Sequence, residues 1–334
     1  MRTLIFTGNV ISCLRKPLPP AVEQDGSSRQ KCLLAFRGFQ PHKSSHHLRW
    51  WYLTAAAAVA LFLTCSKISG PADAPAFDFS VIDVGEGLAQ MGRIGPSAVA
   101  WDVGDSTHFA AWLDAYLRAG SPNINALVVS HSHQDHFGGL SKLPGDVAFS
   151  GLVITSPFED TAFIRENSGV RKAAIRFKTV CQGDTLACLD GVSITCLWPP
   201  RAIAFPAPLD DSLKNRYSLC FSVQYRGASI LITSDVDTFS LRQLSDRYGF
   251  GLAHDILVAP HHGSAGSVDP VFYGYVNPRA VIISCGAGNP YGHPSAALMN
   301  LLFEMRIPAS ITATVGTVSA WSGGYYWTWD AGPE

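Results

Sequence analysis

Nine short apolar runs constrain the fold of this chain more than any other feature of its sequence. Each run holds four to eight residues and is bounded by Gly, Pro, Asp or Ser, a pattern typical of buried β-strands. The runs cover residues 77–84, 98–103, 126–130, 151–155, 192–197, 219–225, 228–233, 256–259 and 280–284. Three stretches with helical periodicity lie between them, at residues 109–119, 238–248 and 295–305. Strands mixed with helices predict a layered α/β domain over residues 77–334.

The residues before this domain have a different composition. Residues 1–49 carry eight Lys or Arg against two acidic residues, although the net charge of the whole chain is only −1. Residues 50–65 are apolar and uncharged, and a linker rich in small residues and proline follows at 66–76. A basic segment ahead of an apolar one is the layout of a signal peptide or of an N-terminal membrane anchor.

The apolar segment at 50–65 leaves two interpretations open. It is shorter than the roughly 20 residues that a spanning helix needs, which favours a signal segment. The leader at 1–49 is long for a signal peptide, which favours an uncleaved anchor or a start codon assigned too early. Under either interpretation we expect the domain to lie outside the cytoplasm, in the periplasm or at the cell surface, either secreted or membrane-anchored. An uncleaved segment would hold it at the membrane.

The cysteines argue against a cysteine-based zinc site, because none of the eight forms a CxxC pair. Cys181 and Cys188 flank a short turn-like stretch and could pair across a hairpin, which would suit an oxidising compartment. The alternative is that the cysteines are small, buried apolar residues.

Metal-ligand residues cluster directly after the run at 126–130. His131, His133, Asp135 and His136 lie within six residues, and a Gly-Gly pair follows where a tight turn is expected. Neutral imidazoles and carboxylates are the ligands that zinc and neighbouring divalent ions take in proteins. The sequence therefore predicts a metal site at the end of this strand.

Further polar residues follow other apolar runs. Asp235, the pair His261-His262 and His293 each come after a different run. Because loops at strand ends gather on one rim of a sheet, we expect these side chains to join the first cluster. One histidine of the His261-His262 pair is expected to bind metal, and the other to support it or to contact substrate. The residues alone leave open which is which.

As a set, these residues resemble the metallo-β-lactamase superfamily motif HxHxDH with its later Asp and His. Within that superfamily, the closest resemblance is to the soluble hydrolase domain of ComEC-type competence proteins, the bacterial DNA-uptake family. The resemblance covers the chain from about residue 77 onward. The segments that carry it are residues 79–87, 102–104, 131–139, 215–235 and 259–264, with the ending at 289–294.

The resemblance implies a four-layer αββα sandwich of the metallo-β-lactamase fold, with two divalent metal ions, zinc or manganese, in a cleft between the sheets. By position, six residues become metal ligands: His131, His133, Asp135, His136, Asp235 and His261. The first two would serve one ion and the next two the other. Asp235 would bridge the ions, and His261 would complete the second site.

The resemblance also implies roles in catalysis and substrate binding. A metal-bound hydroxide would be the nucleophile, because coordination lowers the pKa of water toward neutrality. Asp135 would orient this nucleophile, and His293 would stabilise the leaving oxygen or the negative charge of the substrate. Asn215, His262 and Ser264 are expected on the substrate side.

Three positions depart from the pattern of the superfamily. Asn215 stands where many members have a metal-binding histidine, as is usual in ComEC-like domains, so the first metal site is expected to be weaker or to take manganese. Glu86 and Leu88 stand where the family favours Gln and Asp. These two changes affect contacts with substrate and leave the metal ligands unchanged.

The leading functional prediction is a metal-dependent hydrolase, specifically a phosphodiesterase or nuclease that acts on DNA or another phosphodiester. No protein partner is predicted. A basic stretch could follow a phosphate backbone or could be an ordinary solvated face; it consists of Arg165, Arg171, Lys172, Arg176 and Lys178. Two alternatives stay open, because fold does not fix function. One is a hydrolase of a lactone, thioester or phosphocholine ester, and the other is a non-catalytic anchored interaction module.

Overall fold

Two mixed β-sheets lie face to face, and each sheet carries helices on its outer side. The computed structural model describes residues 76–169, 175–201 and 209–330. The predicted leader at 1–49, the segment at 50–65 and the linker up to residue 75 lie outside the described residues. None of the helices within the described ranges combines the length and the apolar character that a membrane-spanning helix requires.

Fifteen strands and eight helices lie in the described part of the chain. The strands are β1 (Phe77–Val81), β2 (Ala89–Ile94), β3 (Ser97–Val103), β4 (Asn123–Val129), β5 (Leu152–Thr155), β6 (Arg176–Thr179), β7 (Thr185–Leu186), β8 (Val192–Trp198), β9 (Cys220–Tyr225), β10 (Ala228–Ile232), β11 (Ile256–Val258), β12 (Ala280–Ile283), β13 (Ala309–Ile311), β14 (Val318–Ser322) and β15 (Trp327–Asp330). The helices are α1 (Phe109–Arg118), α2 (Gln134–Phe137), α3 (Thr161–Asn167), α4 (Asp211–Lys214), α5 (Thr238–Tyr248), α6 (Pro270–Val276), α7 (Ala296–Met305) and α8 (Thr312–Val315).

Both sheets combine a parallel half with an antiparallel half. The first sheet has the order β15-β14-β1-β2-β3-β4-β5-β6, and the second has the order β13-β12-β11-β10-β9-β8-β7. Strands β3 to β6 run parallel in the first sheet. Strands β10 to β13 run parallel in the second. Because the carboxyl ends of parallel strands share one edge of a sheet, loops that follow these strands are brought together.

Three apolar layers define a four-layer sandwich. Neighbouring residues of one strand point to opposite faces, so Val128 of β4 packs between the sheets while Val129 packs outward with Trp112 of α1. Likewise Ile230 of β10 packs between the sheets while Leu231 packs outward in a layer shared with α5 and α7. The order of layers is therefore helix, sheet, sheet, helix, which confirms the predicted α/β class and the αββα arrangement.

All nine predicted strands and all three predicted helices form, with small differences at their ends. Strands buried on both faces are apolar throughout, which is why their sequences stand out. Six strands were not predicted: β2, β6, β7, β13, β14 and β15. Most of them are short or lie at or near a sheet edge, and β2 carries Gln90, Gly92 and Arg93, which interrupt its apolar pattern.

The predicted pairing of Cys181 with Cys188 does not form, and both residues are free thiols. Strand β7, which lies between them, pairs with β8 and does not fold back on the residues before it. Cys196, Cys220 and Cys285 are buried and also free. The cysteines thus follow the alternative expectation of small apolar residues.

His254 makes the stability of the sandwich dependent on pH. Its buried side chain donates from Nδ1 to the Leu252 carbonyl at 2.8 Å and accepts at Nε2 from the Ser222 hydroxyl at 2.7 Å. Burial lowers the pKa of His254 below its ordinary value of 6.5. In the unfolded chain the proton binds more readily, so acidification below about pH 6.5 favours unfolding, and the full stability is present above that pH.

We therefore expect the free energy of unfolding to fall on acidification less steeply in His254→Gln than in the wild type. Urea denaturation at several values between about pH 5 and pH 8 measures the two slopes. Other histidines contribute equally to both proteins, so the difference between the slopes reports His254. Parallel pH dependences of the two proteins would contradict the assignment.

Candidate metal centre

Loops that follow the parallel strands β4, β10, β11 and β12 line a cleft of about 430 Å³ at one edge of the sandwich. The loop after β4 supplies the histidine-rich motif, and the loop after β10 supplies Asp235. The loop after β11 supplies His261 and His262, and the loop after β12 supplies His293. The predicted convergence of these strand ends is therefore observed.

Four side chains in this cleft each bring one potential ligand atom to within 4.8 Å of the others: Asp135, His136, Asp235 and His262. His136 Nε2 lies 3.2 Å from Asp235 Oδ1, and His262 Nε2 lies 3.6 Å from the same oxygen. Asp135 Oδ2 lies 3.8 Å from His136 Nε2 and 3.7 Å from His262 Nε2. Two imidazoles and two carboxylates at this spacing form a donor set suited to a divalent ion.

Buried polar atoms without a hydrogen-bond partner support this interpretation. They are Nε2 of His131, His136 and His262, and Oδ1 of Asp235. Buried polar atoms are usually paired, because an unpaired one costs about 1–3 kcal/mol. Even the 3.2 Å contact between His136 and Asp235 lacks the alignment of a hydrogen bond. A bound cation would give these nitrogen and oxygen atoms the partner that they lack within the protein.

The ring nitrogens on the other side of these imidazoles are held by the protein. His136 Nδ1 donates to Asp102 Oδ2 at 2.8 Å, and His262 Nδ1 donates to the Ser284 carbonyl at 2.9 Å. A proton fixed on Nδ1 leaves Nε2 free to bind metal. Each ring thus has the tautomer and the orientation that a ligand needs.

Asp102 lies in one of the segments that carry the resemblance, but the motifs predict no role for it. It is fully buried, and besides His136 it accepts hydrogen bonds from the amide of Ser130 at 2.8 Å and from its hydroxyl at 2.7 Å. Its φ of 54° lies in the left-handed region, which Asp tolerates better than most residues. The available sequence signal is a carboxylate inside an apolar strand, a position that is costly unless the charge is paired.

His131 and His133 stand beside the four-residue cluster. The ring centroid of His131 lies 4.6 Å from that of His133 and 4.2 Å from that of His136. Burial lowers the pKa of both His131 and His133. Both are therefore neutral imidazoles near neutral pH, the protonation state that a metal ligand requires.

His261 and His262 occupy different positions in the cleft. The resemblance assigns the metal to His261 and the substrate side to His262, whereas the four-residue cluster contains His262. Nε2 of His261 lies 3.6 Å from the second carboxylate oxygen of Asp235 and accepts from Asn215 Nδ2 at 3.3 Å. Both histidines have left-handed backbones, with φ of 50° and 56°. Periodicity cannot predict side-chain directions in such a backbone.

The remaining predicted site residues differ in position. Asn215 lines the cleft, and its buried Oδ1 has no partner. His293 also lines the cleft, and its ring stacks on that of His262 at 6.1 Å and 11°. Ser264 is not among the cleft-lining residues of the described chain, and its hydroxyl accepts from the amide of Gly266 in a local turn.

The electrostatics of the cleft favour one additional positive charge. Burial alone would raise the pKa of Asp235, but the surrounding histidines, His136 first, hold it well below its ordinary range. Burial likewise disfavours the charged form of His136, but the neighbouring carboxylates, Asp235 first, outweigh burial and raise its pKa well above the ordinary value. The carboxylates can be balanced by a proton on His136 or by a divalent ion bound to neutral His136.

The described residues of the predicted basic stretch, Arg165, Arg176 and Lys178, are not among the residues that line the cleft. Arg165 stacks on the ring of Phe177 at 5.0 Å and donates to the Ile175 carbonyl at 3.1 Å, so its guanidinium has a structural role. Arg176 and Lys178 are exposed on strand β6, at the edge of the first sheet. Residues 171 and 172 lie outside the described residues.

Sequence comparison relates the chain to competence proteins. It is 29% identical to Competence protein ComA of Neisseria gonorrhoeae over 222 residues, which is 66% of this chain and 29% of that protein. It is 28% identical to ComE operon protein 3 of Bacillus subtilis over 200 residues, 60% of this chain and 25% of that one. Recombination protein 2 of Haemophilus influenzae is 24% identical over 248 residues, 73% and 29% of the two chains. The chain spans only about a quarter to three tenths of the length of these relatives.

Among solved structures, the metallo-β-lactamase fold protein YhfI of Bacillus subtilis superposes with a TM-score of 0.47 at 12% identity, over 70% of this chain and 96% of that one. No family model matches the sequence. The chain is similar in sequence to proteins named for competence and recombination, in agreement with the predicted resemblance, and its αββα sandwich is the architecture that this resemblance implies.

The geometry predicts that His262 contributes more to metal binding than His261. Replacing His262 by Ala removes a cluster atom, so we expect the affinity for Mn²⁺ or Zn²⁺ to fall by more than the roughly 10- to 100-fold typical of a lost outer-shell partner. His261→Ala should have the smaller effect. Calorimetric titration of the metal-free proteins measures both affinities. A larger loss in His261→Ala would reverse the assignment.

Asp102 should tune the metal affinity without touching the ion. Asp102→Asn keeps an oxygen that can accept from His136 but removes the negative charge that makes the imidazole a better ligand. We expect the affinity to fall about 10- to 100-fold in the same titration. Asp114→Asn, which changes an exposed carboxylate on α1, is the matched control and should bind metal like the wild type. Equal affinities of the Asp102 and Asp114 variants would refute the role of Asp102.

Proposed function

We propose that the protein is a metal-dependent phosphodiesterase that cleaves single-stranded nucleic acid. The observation that carries the proposal is the four-residue cluster, whose buried ligand atoms have no partner within the protein. The names of the relatives, which refer to competence and to recombination, support nucleic acid as the substrate class. The predicted resemblance to a DNA-uptake family supports the same choice.

Each side chain of the cluster has a distinct task in this proposal. A bound divalent ion supplies a Lewis acid that activates water and offsets the charge developing on the phosphodiester. Asp135, His136, Asp235 and His262 would hold that ion, and all but Asp135 are buried. Asp102 and the Ser284 carbonyl keep the two imidazoles in the tautomer that binds.

Two residues with greater access to solvent would position the attacking water and the phosphodiester. The Asp135 side chain is 41% exposed, so its Oδ2 can accept a hydrogen bond from the attacking water at the cleft side of the cluster. The ring of His293 borders the cleft beside His262 and offers an N–H to the leaving oxygen or to a non-bridging phosphate oxygen. Both roles agree with those implied by the sequence resemblance.

The central test is hydrolysis of a single-stranded oligonucleotide with Mn²⁺ or Zn²⁺ present. We expect the wild type to cleave it, chelation to stop cleavage, and Asp235→Ala to lower the rate by at least about 100-fold, the cost of losing one electrostatic stabiliser of a transition state. Asp114→Asn should cleave at the wild-type rate. Product analysis by denaturing electrophoresis measures all four.

Two other outcomes would replace the proposal. If the wild type and Asp235→Ala are equally inert on DNA, RNA and bis-p-nitrophenyl phosphate, but the wild type hydrolyses a lactone, thioester or phosphocholine ester, then the substrate is a different ester. If the protein binds no divalent metal and is inert on every substrate, it is a non-catalytic interaction module.

A further inference from the structure

The ring of Tyr291 stands at the mouth of the cleft and is open to solvent. The residue is 71% exposed, yet it lines the cleft that contains the metal-ligand cluster. Among the exposed large apolar and aromatic side chains of the described residues, Tyr291 alone lines this cleft. An exposed aromatic ring costs free energy in water, so its place beside a reactive site suggests a ligand that covers it.

Stacked rings connect Tyr291 to the cluster. The centroid of its ring lies 5.7 Å from that of His293 at an angle of 26°, and His293 stacks in turn on His262 at 6.1 Å and 11°. His293 contacts the ring of Tyr291 on one side, and the 71% exposure of Tyr291 leaves most of its ring open to a flat ligand. A ligand stacked on the side away from His293 would lie three ring spacings from His262 of the metal-ligand cluster.

The loop that carries Tyr291 is fixed by one side chain. Asn289 accepts a hydrogen bond from the His293 amide at 2.8 Å and donates to the His293 carbonyl at 2.6 Å and to the Gly286 carbonyl at 2.9 Å. The end of the loop is tied to the histidine loop, because the Ser295 amide donates to the Gly263 carbonyl at 2.9 Å. The aromatic surface is thus preorganised, which lowers the entropy lost on binding.

The charge of the cleft explains why an aromatic surface is needed. Four carboxylates line it, and no Lys or Arg does so among the described residues; the carboxylates belong to Glu86, Asp105, Asp135 and Asp235. Nucleic-acid binding usually draws most of its affinity from cationic side chains paired with phosphates. No such side chain lines the cleft among the described residues, so we expect the bases to contribute more of the affinity.

We propose that Tyr291 is a base-stacking platform, on whose exposed ring an unpaired nucleobase of a strand bound in the cleft stacks. This rests on the proposed function and specifies its substrate as single-stranded, because bases in a duplex are already stacked on one another. Stacking of a base on an aromatic side chain tolerates any base, since each has a flat π-face. The site should therefore accept single strands with little dependence on sequence.

The test compares binding of two oligonucleotides in the presence of Mn²⁺. One is a phosphorothioate-linked oligothymidylate that resists cleavage, and the other has the same length but lacks bases. Fluorescence anisotropy gives the Kd for the wild type, Tyr291→Ala, Tyr291→Phe and Tyr325→Ala. Tyr325 is the matched control, because it is 72% exposed but does not line the cleft.

We expect Tyr291→Ala to weaken binding of the oligothymidylate about 5- to 140-fold, which corresponds to about 1–3 kcal/mol at 1.4 kcal/mol per tenfold change. Its binding of the abasic strand should not change. Tyr291→Phe keeps the ring and should bind both strands like the wild type, as should Tyr325→Ala. Because each protein is its own control on the abasic strand, only a loss confined to the oligothymidylate reports a contact with the bases.

Several outcomes would overturn the stacking role. These are an unchanged affinity of Tyr291→Ala for the oligothymidylate, an equal loss on both strands, and a wild type that binds neither strand. Cleavage of an unmodified oligonucleotide by the same proteins decides the proposed function separately. Base-dependent binding through Tyr291 without cleavage would refute the phosphodiesterase and keep the platform. Cleavage by the wild type and Tyr291→Ala at equal kcat/KM would support the phosphodiesterase and refute the stacking platform.

Discussion

The carboxylate of Asp235 is 2% exposed, and its buried charge determines how the surrounding cleft is arranged. A buried carboxylate is stable only when positive or hydrogen-bonding groups compensate the loss of water. His136, His261 and His262 place ring nitrogens within 3.6 Å of its oxygens. The ring of His136 donates a hydrogen bond to Asp102 of the first sheet. The ring of His262 donates one to the Ser284 carbonyl, which follows β12 of the second sheet. One buried charge therefore couples the loops of both sheets.

The loop between β1 and β2 gives this coupling its rigidity. The amide of Leu88 donates to the Asp135 carbonyl at 3.0 Å, and Ser284 of the second sheet donates its hydroxyl to the Gly87 carbonyl at 2.9 Å. A Cβ atom at Gly87 would clash with the Asp135 carbonyl oxygen, so only glycine allows this approach. The segment that resembles the opening motif of competence proteins thus fastens the histidine-rich loop to both sheets. A divalent ion in the cluster would add to the same connection.

The sequence predicts the strands, and the convergence of the imidazoles and carboxylates that follow them, because each has a local signal. Strands buried on both faces are apolar throughout, and imidazoles or carboxylates directly after them are rarely needed by a core. Other features depend on contacts distant in sequence. Nothing near Asp102 indicates that it orients His136, and the left-handed backbone at His261 and His262 hides which ring turns inward. The stack on Tyr291 likewise exists only once its loop folds against the histidine loop.

The most direct test of the metal centre is the position of the ion itself. Crystals grown with Mn²⁺ or Zn²⁺ would give an anomalous-difference map in which the ion is located independently of the protein atoms. The expected result is a peak surrounded by Asp135, His136, Asp235 and His262 at about 2.0–2.2 Å from their nitrogen and oxygen atoms. A map without a peak among these four side chains, with the crystals saturated in metal, would contradict the assignment of this cleft as a metal centre.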